Sequence, residues 1–217
     1  MLVLYEHPLS PYAQKVKIAL REKGIAFEVR MPEGIGAGHT KGEFADANPR
    51  REVPALIDGD TAIFDSTIIL DYIDDKWPEP LLMPNVPEDR ARMRQIEDVM
   101  DTHFEAITWG LGELHFFKRG NDTLRKTIEA HAARQIAGFM AWLENELGDN
   151  NWFSGREFGR GDLSVIPYLN AADGFGYKPA EGSPIATWIV RANARESVSQ
   201  TDAESRASIT GMQMVSA

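Results

Sequence analysis

The sequence predicts an α+β chain in which a mixed α/β module precedes an all-α one. Three observations point there. Leu2–Tyr5 is a short apolar run suited to a buried strand, followed by a helical stripe and an alternating run at Ala26–Arg30. Two further apolar runs flank Asp58-Gly59-Asp60, a hairpin signal, and lead into a second capped helix. Beyond a proline-rich stretch the apolar spacing turns helical.

In the first helix Ser10 stands at the N-cap position and Pro11 at the first helical position, where a missing N–H costs nothing. Tyr12, Val16, Ala19 and Leu20 recur on one face. Lys15, Lys17, Arg21 and Lys23 are expected on the wet face, and Gly24 supplies the stop. Strand, helical crossover and parallel strand make a βαβ unit. Residues 31–42 carry four glycines and a proline and read as a loop. It lacks the GxxxxGK[ST] pattern of a phosphate loop.

Phe44–Asn48 reads as a short helix ended by Pro49. Val53–Ile57 and Thr61–Phe64 are the hairpin strands, and Asp65-Ser66-Thr67 caps a helix with Ile68, Ile69, Tyr72 and Ile73 on one stripe. The order is thus β-α-β, then β-β-α. Four prolines in residues 77–87 mark a linker, assigned to 78–87, between domains 1–77 and 88–217.

The second domain opens with a helix from Glu88 to about Trp109, which Gly110 and Gly112 bend or end. Thr123–Leu147 repeats the pattern and closes at Gly148. Asp162 is placed to reach back from the third position of a following helix, but Gly159 stands where a capping Ser or Thr belongs. A last helix over 185–198 precedes a polar tail, 199–217, expected to be loose.

Composition narrows the function. A chain of 217 residues is long enough for two small domains with real cores. A net charge of -10 argues against nucleic acid and anionic membrane surfaces as partners. No run approaches 18 apolar residues and no basic-then-apolar leader opens the sequence, so a soluble, cytoplasmic protein is expected. The absence of cysteine removes disulfides, thiolate metal sites and any cysteine nucleophile. Sulfur chemistry, if any, must arrive with a ligand. The five histidines fall in no ligand spacing, so no metal site is expected.

Ser10 is the chemically loaded residue of the first module. The first turn of a helix offers unpaired N–H groups and about half a positive charge, which stabilise an anion placed there. A hydroxyl beside it donates one more charge-assisted bond. Lowering a thiol by about two pKa units takes roughly 2.7 kcal/mol, within reach of such a pair of effects. A plain N-cap would use the same residue.

Ser10-Pro11-Tyr12-Ala13 resembles the Cys-Pro-Tyr-Cys of glutaredoxins with both sulfurs removed. Asn48-Pro49-Arg50-Arg51-Glu52-Val53-Pro54-Ala55-Leu56, followed by Phe64-Asp65-Ser66, resembles the Asn-Pro-x-Gly-x-Val-Pro-x-Leu and acidic-Ser blocks of glutathione S-transferases. All three motifs occur in order, on a thioredoxin-like succession of elements. The chain is therefore similar to serine-type, bacterial-like cytosolic members of that family.

The resemblance implies a cis proline at Val53-Pro54, with the Val53 backbone pairing the cysteinyl backbone of glutathione. It implies that Asp65 and Ser66 hold the γ-glutamyl group, and that His39 or Lys41 reaches the glycine carboxylate. Arg51 replaces the usual Gly and Glu52 a more usual Lys or Gln, so Arg51 is a candidate cation and Glu52 would face an amine or N–H. Two residues are candidates to activate the thiol. Tyr5 ends the first strand, where some classes place a tyrosine, and Ser10 stands at the helix mouth; the Ser-Pro-Tyr context favours Ser10, with Tyr12 assisting or packing.

By the same resemblance the protein would be a glutathione transferase using glutathione as co-substrate and no metal. It would conjugate the thiolate to a small hydrophobic electrophile, or carry out dehalogenation, ether cleavage or peroxide reduction, as a homodimeric detoxification enzyme. Trp109, His115, Phe116, Phe117, Tyr168 and Phe175 are candidates to line the electrophile pocket. The alternative is a non-catalytic binding or regulatory protein that keeps the fold.

Overall fold

The computed structural model of the protein describes residues 1–35 and 40–215, with residues 210–215 described by backbone alone. Two compact units emerge: Met1–Leu82 together with Arg195–Ala217, and Met83–Ala194.

The first unit runs β1 (Leu2–Tyr5), α1 (Pro11–Glu22), β2 (Phe27–Arg30), α2 (Glu43–Ala47), β3 (Ala55–Asp58), β4 (Thr61–Phe64) and α3 (Ser66–Lys76), as the sequence periodicities predict. The sheet order is β2-β1-β3-β4. β1 lies parallel to β2, whereas β3 runs antiparallel to both β1 and β4. β1 is buried along its whole length because it is internal and covered, while β4 at the edge is partly exposed. Val3, Tyr5, Phe44 and Ala55 form one apolar cluster of this sheet, with Ile35, Val53, Ile57 and Phe64 packed around them.

The charged residues of α1 are not where the helical stripe put them. Lys15 is fully buried and Lys17 is 2% exposed. Lys17 Nζ meets Glu6 Oε1 at 2.6 Å and Glu204 Oε2 at 2.9 Å, and Lys23 Nζ meets Asp74 Oδ1 at 2.9 Å. A buried ammonium is tolerable when carboxylates surround it. The partners lie far along the chain, so local spacing could not reveal them.

The expected loose tail is the second correction. The segment after residue 194 is a helix, α9 (Glu196–Val215), within the first unit. It rests on α1 through Arg21–Glu204 (2.6 Å), Arg21–Thr201 (2.5 Å) and the Arg195–Glu22 pair (2.6 Å). Ser197, Val198 and Thr201 are buried. Small polar side chains and ion pairs, rather than an apolar stripe, hold this helix, and a domain of 88–217 as read from sequence does not group it so.

The second unit is helical: α4 (Pro87–Val99), a π turn at Met100–Phe104, α5 (Glu105–His115), α6 (Asp122–Leu147), α7 (Arg160–Gly174) and α8 (Pro184–Asn193). Gly110 and Gly112 do not end α5, which continues to His115. α7 is the core helix, buried from Arg160 to Leu169. Its start is held by Asp162, whose carboxylate accepts from the Phe153, Ser154 and Gly159 amides and from Trp188 Nε1. Burial pushes the Asp162 carboxyl above its ordinary value, against the pull of these four bonds. Gly159 brings no hydroxyl, but Ser154 Oγ accepts the Gly161 N–H at 3.1 Å and supplies an acceptor from outside the helix. Arg160 and Glu97 pair inside this unit at 2.8 Å, with side chains 0% and 2% exposed. Among the described residues no helix is long and apolar enough to cross a membrane.

Candidate functional site

Three strands fix the site. Tyr5, the last residue of β1, is in register with Ala55, the first of β3, and Ala55 is in register with Phe64, the last of β4. Loop 6–10, the Val53-Pro54 pair and the Asp65-Ser66 pair therefore all leave the sheet at the same edge, the one formed by strand ends rather than by the outer strands β2 and β4. The helices entered there, α1 and α3, both begin at that edge. Their N-terminal turns present N–H groups and positive dipole ends, which suits a ligand carrying more than one negative group.

The loop before α1 is tied down at each residue. The Ser10 N–H donates to the His7 carbonyl at 2.9 Å, and the Leu9 N–H donates to His7 Nδ1 at 3.2 Å. Gln14 Nε2 donates to the Pro8 carbonyl at 2.7 Å. Burial holds the His7 imidazole below its ordinary pKa, with the Glu6 charge only partly opposing, so the ring is neutral and able to accept. Ser10 caps α1 with extended backbone, its Oγ accepting from the Ala13 N–H at 3.3 Å. That bond is long and uses only a lone pair. The hydroxyl proton is left to donate elsewhere, so capping and anion binding do not compete.

Tyr5 is occupied. Its hydroxyl donates to Glu43 Oε2 at 2.5 Å, and its ring packs on Phe44 with centroids 5.4 Å apart. Burial and the Glu43 carboxylate push the phenol above its ordinary value, with Arg30 opposing. The structure thus separates the two thiol-activating candidates: Ser10 caps the helix mouth, while Tyr5 is a packed residue with a committed proton. Tyr12 is half-buried beside Lys15, whose Nζ lies 5.9 Å from its ring centroid.

On the opposite side of the edge, the Val53-Pro54 peptide is cis, as the resemblance implied. Asp65 adopts φ 74 and caps α3, its Oδ1 accepting from the Thr67 N–H at 3.0 Å; Ser66 is buried as the first helical residue. Arg51 is exposed with φ 55, the left-handed conformation that the family's glycine takes freely and that costs another residue about 1 kcal/mol. Glu52 is exposed and salt-bridged to Arg50 at 2.7 Å. Lys41 is exposed, and His39 lies outside the described residues.

Arg50 is the residue that sequence reasoning passed over. Its Nη1 lies 3.1 Å from Asp65 Oδ2 while Nη2 holds Glu52, so it ties the two blocks of the motif together. Its position next to the Asn48-Pro49 turn was the available signal, since the Arg50 N–H bonds Asn48 Oδ1 at 2.9 Å.

Of the aromatic candidates, Tyr168 is excluded from lining a pocket: it is fully buried, and its hydroxyl donates to Asp101 at 2.6 Å. Trp109, Phe116 and Phe117 are exposed, and Phe175 packs on His115 and Phe116. No group of metal-ligating side chains occurs among the described residues.

Comparison with known proteins follows the same lines. The model of the glutathione S-transferase N-terminal domain matches residues 4–81. Glutathione S-transferase U28 of Arabidopsis thaliana is 30% identical over 212 residues, covering 94% of this chain and 89% of its own. The chain belongs to the glutathione S-transferase family. A stringent starvation protein A homolog of Coxiella burnetii is 32% identical over 169 residues, covering 78% of this chain and 75% of its own. A rice glutathione S-transferase solved in complex with glutathione superimposes with a TM-score of 0.76 at 27% identity, over 92% of this chain and 91% of that one.

Proposed function

We propose that the protein is a glutathione transferase in which Ser10 stabilises the glutathione thiolate for attack on a small hydrophobic electrophile. The observation that carries this reading is the shared sheet edge, which gathers the Ser10 hydroxyl, the α1 and α3 N-termini and the cis Val53-Pro54 peptide. Glutathione carries anionic groups at both ends and a thiol between. Its γ-glutamyl carboxylate suits the Ser66 N–H at the start of α3, and its amine suits the Asp65–Glu52 carboxylates, which Arg50 spaces. The Val53 backbone would pair the cysteinyl unit as an added strand. The sulfur then falls to the α1 mouth, where the Ser10 O–H donates and the helix dipole favours the thiolate. Arg51 and Lys41, both exposed, are the cations for the glycine carboxylate, and a homodimer is the assembly this reading carries.

No step needs a metal. The thiolate attacks an electrophilic carbon and the leaving group departs with the electron pair, which is the common start of conjugation, dehalogenation and ether cleavage.

The test is the ultraviolet absorbance of enzyme-bound thiolate against pH. Wild type should hold glutathione as thiolate below its free pKa, and Ser10→Ala should raise that pKa by about 1–2 units, the worth of one hydrogen bond to a charge. An unchanged titration in Ser10→Ala removes Ser10 from the mechanism. Failure to bind glutathione, with the fold intact, leaves a non-catalytic member of the family, a reading that the starvation-protein relative favours.

A further inference from the structure

A pocket in the second unit lies apart from the Ser10 and Val53-Pro54 edge and shares only His115 with the residues named above. It has a volume of about 230 Å³ and is lined by Leu114, His115, Lys118, Arg119, Gly120, Asn121 and Arg125, where the end of α5 turns into α6. No acidic residue lines it. Ligand pockets commonly reach ~300 Å³ or more, so this one suits a small head group rather than a whole drug-sized molecule.

Its polar groups are biased to donation. Asn121 spends its carbonyl oxygen capping α6, accepting from the Leu124 N–H at 2.9 Å, which leaves its NH₂ to donate. Arg119 meets Glu113 through Nη1, and Arg125 meets Asp122 through Nη2. A guanidinium carries five donors, so each retains N–H groups for a second acceptor. Lys118 adds an ammonium with three donors. Near the end of α5 the Gly112 carbonyl accepts from the Phe116 N–H and the Glu113 carbonyl from the Arg119 N–H. The positive end of the longer α6 opens beside the pocket.

We infer that this pocket binds a tetrahedral oxyanion, inorganic phosphate or a phosphate monoester, through Lys118, Arg119, Arg125 and the Asn121 amide. Glu113 and Asp122 each pair with one arginine, so the lining keeps the Lys118 charge and the spare guanidinium N–H groups, whose forks match the edges of a phosphate.

Titration calorimetry on the full chain at low ionic strength tests this, with inorganic phosphate as probe and acetate as comparator. A phosphate monoester, run in parallel, separates the two sources of the head group: binding tighter than inorganic phosphate assigns the monoester, and weaker binding assigns the free ion. One phosphate per chain is expected, with affinity falling about tenfold or more in Lys118→Gln and in Arg125→Gln. Arg134→Gln, on the same helix but outside the lining, should change nothing, and acetate should bind far more weakly. The absence of stoichiometric phosphate binding overturns the inference, as does acetate binding equally well. Equal loss in Arg134→Gln also overturns it, because it would show diffuse charge attraction. Glutathione binding by these variants should match wild type, so this result stands or falls separately from the role of Ser10.

Discussion

The Tyr5 hydroxyl is bound to the Glu43 carboxylate at 2.5 Å, beneath a sheet edge where Ser10 stands with its own proton uncommitted to the helix it caps. The phenol donates to an acidic acceptor and is held above its usual pKa by burial and that same carboxylate. A group so engaged is a poor donor to a second anion.

Tyr5→Phe should therefore leave the pKa of bound glutathione where it is in wild type and cost about 1 kcal/mol of stability for the lost bond. Thiolate absorbance and urea unfolding read the two quantities. A raised thiol pKa in Tyr5→Phe would return the tyrosine to the chemistry.

The α9 contact should depend on pH. Burial works to raise the Glu204 carboxyl, but the Arg21 and Lys17 hydrogen bonds and charges outweigh it and hold it below its ordinary value. A carboxyl lowered by folding adds stability above its unfolded pKa, about 4.3, and loses it as the pH falls through the folded value. Stability measured by denaturant should decline below about pH 4.3, and Glu204→Gln should flatten that part of the profile.

Lys17→Met should be far more damaging than Glu204→Gln. It leaves Glu6, 3% exposed, as a buried carboxylate without its cation, a loss of about 3–5 kcal/mol. The double variant Lys17→Met with Glu6→Leu should recover much of it. Unfolding free energies of the three proteins decide the point, and no recovery in the double variant would show that packing rather than charge is at stake.

Arg51→Gly and Arg51→Ala remove the same side chain, but only glycine adopts φ 55 without penalty. The glycine variant should be the more stable by about 1 kcal/mol, measured by thermal unfolding. Equal stabilities would mean that the left-handed turn relaxes when the arginine is gone.

Much of this architecture was legible because the signals are local. The Asp58-Gly59 hairpin, the Ser10-Pro11 helix start and the Asp65 cap each depend on residues within a few positions of one another, and each appears where the sequence put it. Lys17 was misplaced because burial of a charge is decided by its partners, and Glu6 and Glu204 both lie outside α1. α9 was read as a tail because it has no apolar stripe to find; it is seated by Ser197, Thr201 and Glu204. The linking role of Arg50 rests on the turn at Asn48 and the position of Asp65, neither of which is encoded in the residue itself. The hydroxyl missing at Gly159 is replaced in part by Ser154 Oγ, which accepts the Gly161 N–H from outside the helix and is invisible to local spacing.

The union of α9 with α1 carries a cost in time. Lys17 and Glu204 stand 187 residues apart, so on the ribosome the β1–α3 segment has no α9 to close over it until the chain through Glu204 has been made.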